Sequence, residues 1–457
     1  MADKFDVVIV GGGIIGTMTC FCLVSSERER ASTQPLSVAF VCLAPSHSTS
    51  SKSAGLLGGA LAETSGEREQ RKVAEERRVA ELAGDSIVAQ PGSVHRWCGD
   101  DVHTHDDDGP PRRRVKKKAG GVHGAAAGAA ANASRSASSA RAWLHAESRA
   151  IYESLSSTLA PDAGLGWLSP QSVVSFHSSS TEKLSLSDPP LPSSEMLATD
   201  SAQLDVRSLL AAVASNVATH PHLTILEDMS LVELTDGGTR LVLESTIDGQ
   251  RRVLLAGRSV LATGAWTAAI RTDDTIHLPT ISFIKAHSCH YQASGKTLPG
   301  VTFTERSDGS LPRVDPEVYV RPGGAVLVSG CVEEDGGGGR SVPPQAPQVP
   351  AIATVGAHDR LDRCFKSLVS TAVSSRRPAN DLERDSGSVP MSTCYLPCSD
   401  DGLPIIGRLN STSLFLGLGH SCWGISEGAA TGRALAALVL DAPLPVDLSS
   451  LSPNRFA

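Results

Sequence analysis

Phe5-Asp6-Val7-Val8-Ile9-Val10-Gly11-Gly12-Gly13-Ile14-Ile15-Gly16 opens the chain as an apolar run that ends in glycines. Ile14 to Val24 follows with helix-compatible apolar spacing, and Val38–Leu43 is a second strand-like run. The unit is therefore strand, glycine turn, helix, strand. Gly11-x-Gly13-x-x-Gly16 in that setting implies a bound dinucleotide. Gly11 allows the tight turn and Gly13 lets backbone NH groups approach a pyrophosphate. Gly16 permits close helix–strand packing, and the helix N-terminus adds partial positive charge. A glycine turn without a ligand is the alternative, and the flanking strand and helix argue against it. One element is missing: the acidic residue expected near Val41–Ala44 for the ribose hydroxyls is absent from Phe40-Val41-Cys42-Leu43-Ala44-Pro45-Ser46-His47-Ser48. Backbone, Ser46 or His47 would have to serve instead.

Two further turns lie far downstream. Val260-Leu261-Ala262-Thr263-Gly264-Ala265-Trp266 is an apolar strand ending in Thr-Gly. Asp401-Gly402-Leu403-Pro404-Ile405-Ile406-Gly407 precedes a last strand near Leu414–Leu418 and a helix expected from about Ser426 to Leu440. A nicotinamide dehydrogenase would complete one nucleotide domain before its catalytic residues. Three turns spread over most of the chain suit the longer FAD better.

The remaining composition sets limits. At about 100–200 residues per domain, 457 residues suggest two or three domains. Lys and Arg total 41 and Asp and Glu 49, a net charge of −8, with only 4% aromatic residues. Neither a nucleic-acid backbone nor stacked bases are the expected partner. The N-terminus does not read as a secretory signal, and no run of about 18 apolar residues predicts a transmembrane segment. Ten cysteines lack zinc-ligand spacing, so no metal is expected and cytoplasmic thiols are the natural reading. Residues 66–83 are charge-rich and helical in character. Residues 99–140 read as a disordered insertion, with a basic run at Arg112–Lys118 and 18 Ala, Gly or Ser among residues 119–140. That basic run reads as a solvated loop before it reads as a nuclear address or an anionic-surface contact. A helix resumes at Ala142, and strand patterns fall around 223–234, 240–246, 253–262, 283–291 and 317–329. A loose loop at 333–350 is rich in Gly and Pro.

These words resemble the FAD-dependent oxidoreductases of the D-amino-acid oxidase superfamily, which includes glycine oxidase, sarcosine oxidase and related dehydrogenases. GGGIIG, VLATGAW and DGLPIIG…GHSCWGI…ATG stand in that family's order. SSKSAGLL at 50–57, PEVYVRPGGAVLVSG at 316–330 and TCYLPCSDDGLPIIG at 393–407 resemble a eukaryotic branch found in fungi and plants. The resemblance implies an α/β fold in which a Rossmann-type FAD-binding domain is interleaved with a mixed-sheet α+β substrate domain. The cofactor domain would take residues 1–98, 201–270 and 396–457. Residues 141–200 and 271–395 would supply a helical segment and the substrate domain.

Carried over by position, Gly11, Gly13, Ile14, Ile15 and Gly16 would hold the pyrophosphate. Ser51, Lys52, Ala54, Gly55 and Leu56 match the loop under the isoalloxazine, and Leu231 the adenine side. Ala262, Thr263, Gly264 and Trp266 match the returning turn, and Gly419, His420, Trp423, Gly424 and Ile425 the loop before the last helix. NH groups near Ile425–Gly428 would stabilise negative charge gathering at flavin N1 and the C2 carbonyl.

Three residues are candidates for catalysis. Arg321, at a strand end, suits a bidentate hold on a substrate carboxylate or is a surface charge. His420 is an acid/base group or a cofactor hydrogen-bond partner. Lys52 is a candidate to approach flavin N5 or to activate oxygen as a positive charge, or it is a loop lysine. Leu396 stands where amino-acid oxidases tend to carry a carboxylate-binding Arg, which removes the usual anchor for an α-amino acid. Cys394 falls where sarcosine-oxidase relatives tether their flavin, and a thioether and a buried free thiol both remain open. His287, His290 and Tyr291 share a strand that could line the substrate cavity.

The expected activity is oxidation of a C–N bond in a small amine or amino-acid-like molecule, with electrons passing to oxygen or another acceptor. The alternative is a regulatory or partner-binding flavoprotein with weak or lost redox activity.

Overall fold

A computed structural model describes residues 2–29, 35–43, 56–57, 123–159, 164–178, 183–188, 194–306, 316–334, 343, 356–375 and 391–456. The chain divides into two units, residues 1–61 with 140–457, and residues 62–139. The first unit holds both sheets.

One sheet is built on five parallel strands. Asp3–Val10 lies at its centre between Val38–Cys42 and Arg251–Leu261. Leu223–Glu227 extends one side and Leu414–Leu418 the other. The strands are apolar on both faces because both are covered. Met229–Thr235 and Arg240–Ser245 fold antiparallel over one face, and Leu231, Leu234, Leu241 and Leu243 bury against Val8, Val10 and Val41. Helices α1 (Ile14–Glu29) and α3 (Val206–Val217) cover the other face with α5 (Gly424–Val439), joined there by α2 (His123–Leu159). Helices α1 and α5 approach closely at Gly432, where a Cβ would stand 2.6 Å from the Met18 carbonyl carbon.

The second sheet is mixed and nine-stranded. Its longest strand, Ile281–Ala293, pairs with Ala325–Glu334, Met391–Ser399 and Val373–Ser375. Helix α4 (Ala357–Leu368) packs Leu361, Phe365 and Leu368 onto one face, among Tyr291, Val318 and Val328. The two sheets alternate along the sequence, so the chain passes from one to the other several times.

Two expectations change. Helix α2 begins at His123, inside the 99–140 stretch that composition assigns to disorder. Alanine is the strongest helix former, and at its C-terminal end the tract joins the buried positions Ala140 and Leu144. His287 and Tyr291 are buried and are not among the residues that line the cleft described below. The His287 ring stands edge-on to His358 of α4 at 5.1 Å, and the Tyr291 hydroxyl donates to Asp362 at 2.8 Å. Strand alternation puts His290 on the opposite face, where its pairing partner is Leu327. Residues 66–83, 99–122 and most of 333–350 lie outside the described residues.

Candidate cofactor and active site

The C-terminal ends of the parallel strands open into a cleft. Ligands of doubly wound sheets bind at such edges. Gly11, Gly13, Ile14 and Ile15 line one part of it, with Val41, Cys42 and Leu43 beside them. Met229, Ser230 and Leu231 close one side, and Ala262 to Trp266 return under the glycine turn. Leu396, Pro397, His420, Gly424 and Ile425 complete the lining.

The glycine turn fits a dinucleotide for steric reasons. Gly11 has φ +127°, and a Cβ there would sit 2.2 Å from the Ala262 carbonyl oxygen. A Cβ on Gly16 would stand 1.9 Å from the Gly11 carbonyl oxygen. The turn is thus pressed against both the returning strand and its own helix, leaving the start of α1 open to the cleft. No acidic residue occupies the first turn of α1, so its positive end is not neutralised locally.

Most residues expected at the site converge there. Gly16 lies behind the turn rather than in the lining. Gly419, φ +70°, packs against Ser399, and Trp423 turns toward α2. Leu56 belongs to the short strand Leu56–Leu57, paired with Gln203 and Ala202. Ser51, Lys52, Ala54 and Gly55 lie outside the described residues, as do Ser46 and His47. Cys42 and Leu43 hold the position where a ribose carboxylate was expected, and both line the cleft. Ser230, which also lines the cleft, was not evident in the sequence, because a single serine within a strand carries no signal.

Arg321 is not part of the lining. It ends the strand Glu317–Val320, and its Nη2 donates to the Leu204 carbonyl at 3.3 Å. Tyr319 shares its face by alternation, and its hydroxyl donates to Glu317 at 2.7 Å. Burial and the Glu317 charge hold that hydroxyl well above the ordinary tyrosine range. The charge of Cys422 adds to the effect.

His420 is buried, and its Nε2 shares a 3.0 Å hydrogen bond with Thr431 of α5. Burial pushes its pKa down to about 4, against the pull of Glu427. A neutral imidazole held this way orients the loop and is a poor base near neutral pH. Cys394 is not in the lining, where the cysteines are Cys42 and Cys422. Acid precipitation is therefore expected to leave a yellow supernatant over a colourless pellet. A yellow pellet that turns colourless in Cys394→Ala would contradict this placement.

Relatives agree with the geometry. Glycine oxidase from Geobacillus kaustophilus superposes over 100% of both chains with a TM-score of 0.61 at 18% identity. NikD, an unusual amino acid oxidase essential for nikkomycin biosynthesis, gives 0.58 at 16% identity over 99% of this chain and 98% of its own. At these identities the likeness is one of fold. TDA3 of Saccharomyces cerevisiae, whose name places it provisionally among oxidoreductases, is 28% identical over 199 residues, 43% of this chain and 34% of its own. A Schizosaccharomyces pombe protein of the same provisional class is 44% identical over 63 residues, 14% of this chain and 16% of its own. The matched stretches thus span about a third and a sixth of these two relatives. The family model for FAD dependent oxidoreductases, DAO, matches residues 6–438, nearly the whole chain. With that match and this fold, the chain belongs to the DAO family of FAD-dependent oxidoreductases.

Proposed function

We propose that this oxidoreductase oxidises a C–N bond of a small amine or amino-acid-like substrate and passes the electrons to oxygen. The observation that carries the reading is the cleft itself, which gathers the glycine turn, the Ala262–Trp266 return and the N-terminus of α5. Bound FAD supplies a two-electron acceptor for hydride leaving the carbon beside nitrogen. The backbone at Gly424 and Ile425 faces the cleft at the start of α5, where NH groups stabilise negative charge. Leu396 and Pro397 form an apolar wall that excludes water from one side. His420, neutral and hydrogen-bonded, holds its loop and leaves a neutral amine to react without a strong base. Arg321, close to the Tyr319 end of its strand, is the proposed anchor for a substrate carboxylate, with Leu396 in the more usual position.

Anaerobic mixing with a panel of amines and amino acids tests this reading. Bleaching of the visible flavin absorption by some members, with colour and peroxide returning on admission of air, is the expected result. In Arg321→Met the KM for carboxylate-bearing substrates should rise about tenfold or more, the worth of a charged hydrogen bond. Uncharged amines should be unaffected. A firmly bound flavin that no candidate bleaches, with a stable partner co-purifying, would favour the regulatory reading instead.

A further inference from the structure

Glu427 is a buried carboxylate for which the proposed reaction has no use. It lies in the first turns of α5, with a side-chain exposure of 0%. Arg141 Nε donates to its Oε1 at 2.7 Å, and His145 Nε2 approaches the same atom at 3.3 Å. Among the described residues no hydrogen-bond partner reaches Oε2. Burying a carboxylate this way costs stability unless the charge is matched. Burial would raise its pKa, yet Arg141 and the hydrogen bond from His145 pull it down to about 2, so it is ionised.

Arg141 and His145 belong to one stripe of α2. Residues 141, 145, 148 and 152 follow helical spacing and face α5 together. Ser148 Oγ accepts from the Ala430 amide at 2.9 Å, and the Tyr152 hydroxyl donates to the Ile425 carbonyl at 2.9 Å. Trp423, between the cleft loop and α5, stands edge-on to the His145 ring at 5.4 Å, with the Arg141 guanidinium 5.5 Å over its own ring. His420 also acts on Glu427, and burial keeps it neutral. Gly424 and Ile425, one helical turn or less from Glu427, line the cleft.

We propose that the Glu427–Arg141 pair, steadied by His145, is a positioning device that sets the flavin reduction potential through the N-terminal turn of α5. This rests on the reading that the reacting end of FAD meets His420–Ile425. Reduction places negative charge there. A buried carboxylate in the same turn opposes that charge, and the guanidinium against it compensates. The two partners therefore act with opposite signs.

The test is the two-electron potential of the FAD-loaded protein, measured by anaerobic equilibration with a reference dye. This readout needs no substrate, so it can fail while the substrate screen succeeds, or the reverse. Glu427→Gln should raise the potential and Arg141→Met should lower it, each by at least tenfold in the equilibrium constant, about 30 mV. The double variant should return close to the unmodified protein. Glu427→Asp keeps the charge and should keep the potential. If Glu427→Gln fails to fold, Arg141→Met and Glu427→Asp still decide the matter. A clamp with only a mechanical role would move both single variants in the same direction or not at all. Either outcome overturns the proposal.

Discussion

Gly11→Ala is expected to yield a folded chain that purifies without colour and no longer binds FAD. Two effects coincide at this position. The backbone sits at φ +127°, a region that side-chain-bearing residues rarely adopt and that costs them about 1–3 kcal/mol. The new methyl would also lie 2.2 Å from the Ala262 carbonyl oxygen. A backbone atom cannot swing aside as the end of a flexible side chain can, so the turn and the returning strand must separate. Overpacking of this kind costs about 1–3 kcal/mol, and it falls where the pyrophosphate must meet backbone NH groups. Gly295→Ala separates strain from geometry. Its φ is +81°, but nothing lies within 4 Å of the added Cβ. That variant should lose a few degrees of Tm and stay yellow. Titration of the apoproteins with FAD checks both, and wild-type affinity in Gly11→Ala would contradict the account.

Acid should destabilise the protein well before its carboxylates are exhausted. Burial holds both His358 and His420 at about 4, against an ordinary value of 6.5. Their folded pKa is depressed, so the unfolded chain takes up the proton first. The stability they contribute is fully present above pH 6.5 and is lost as the pH falls through 4. Each is worth about 3 kcal/mol over that window. Glu427 acts lower still. With a folded value of about 2 against 4.5, its contribution stands above pH 4.5 and fades toward pH 2. Urea midpoints measured between pH 6.5 and 4 should therefore fall steeply. His358 makes the cleaner variant, because it packs against His287 and hydrogen-bonds Ser392 away from the cleft. His358→Gln should remove about half of that fall without altering flavin content. A midpoint that does not change over this range, or the same slope in the variant, would show that these histidines are not held neutral.

The cofactor turns were legible because their chemistry is local. Gly11 and Gly16 occupy positions where neighbouring backbone atoms forbid any side chain, and the strand before them ends in continuous apolar sequence. Ala262–Trp266 follows directly on the apolar strand Arg251–Leu261, so it too is a local signal. Other features depend on partners that sequence order does not reveal. Glu427 and Arg141 are 286 residues apart, and nothing in either neighbourhood announces the other. Ser230 lines the cleft because of how its strand folds over the sheet. The start of α2 was hidden for a different reason. Its Ala, Gly and Ser composition suits a chain that buries little, yet alanine propensity sustains a helix that later residues anchor. His287 and Tyr291 carry side chains suited to a cavity, and strand alternation with α4 on one face sends them into the core.

An experimental structure of the chain with FAD bound would show whether three distant segments hold one cofactor. The pyrophosphate is expected over Gly11–Gly16, the adenosine end beside Cys42 and Ser230, and the flavin ring between Leu396 and the His420–Ile425 loop. A cofactor bound away from any of these three contacts would rule that arrangement out.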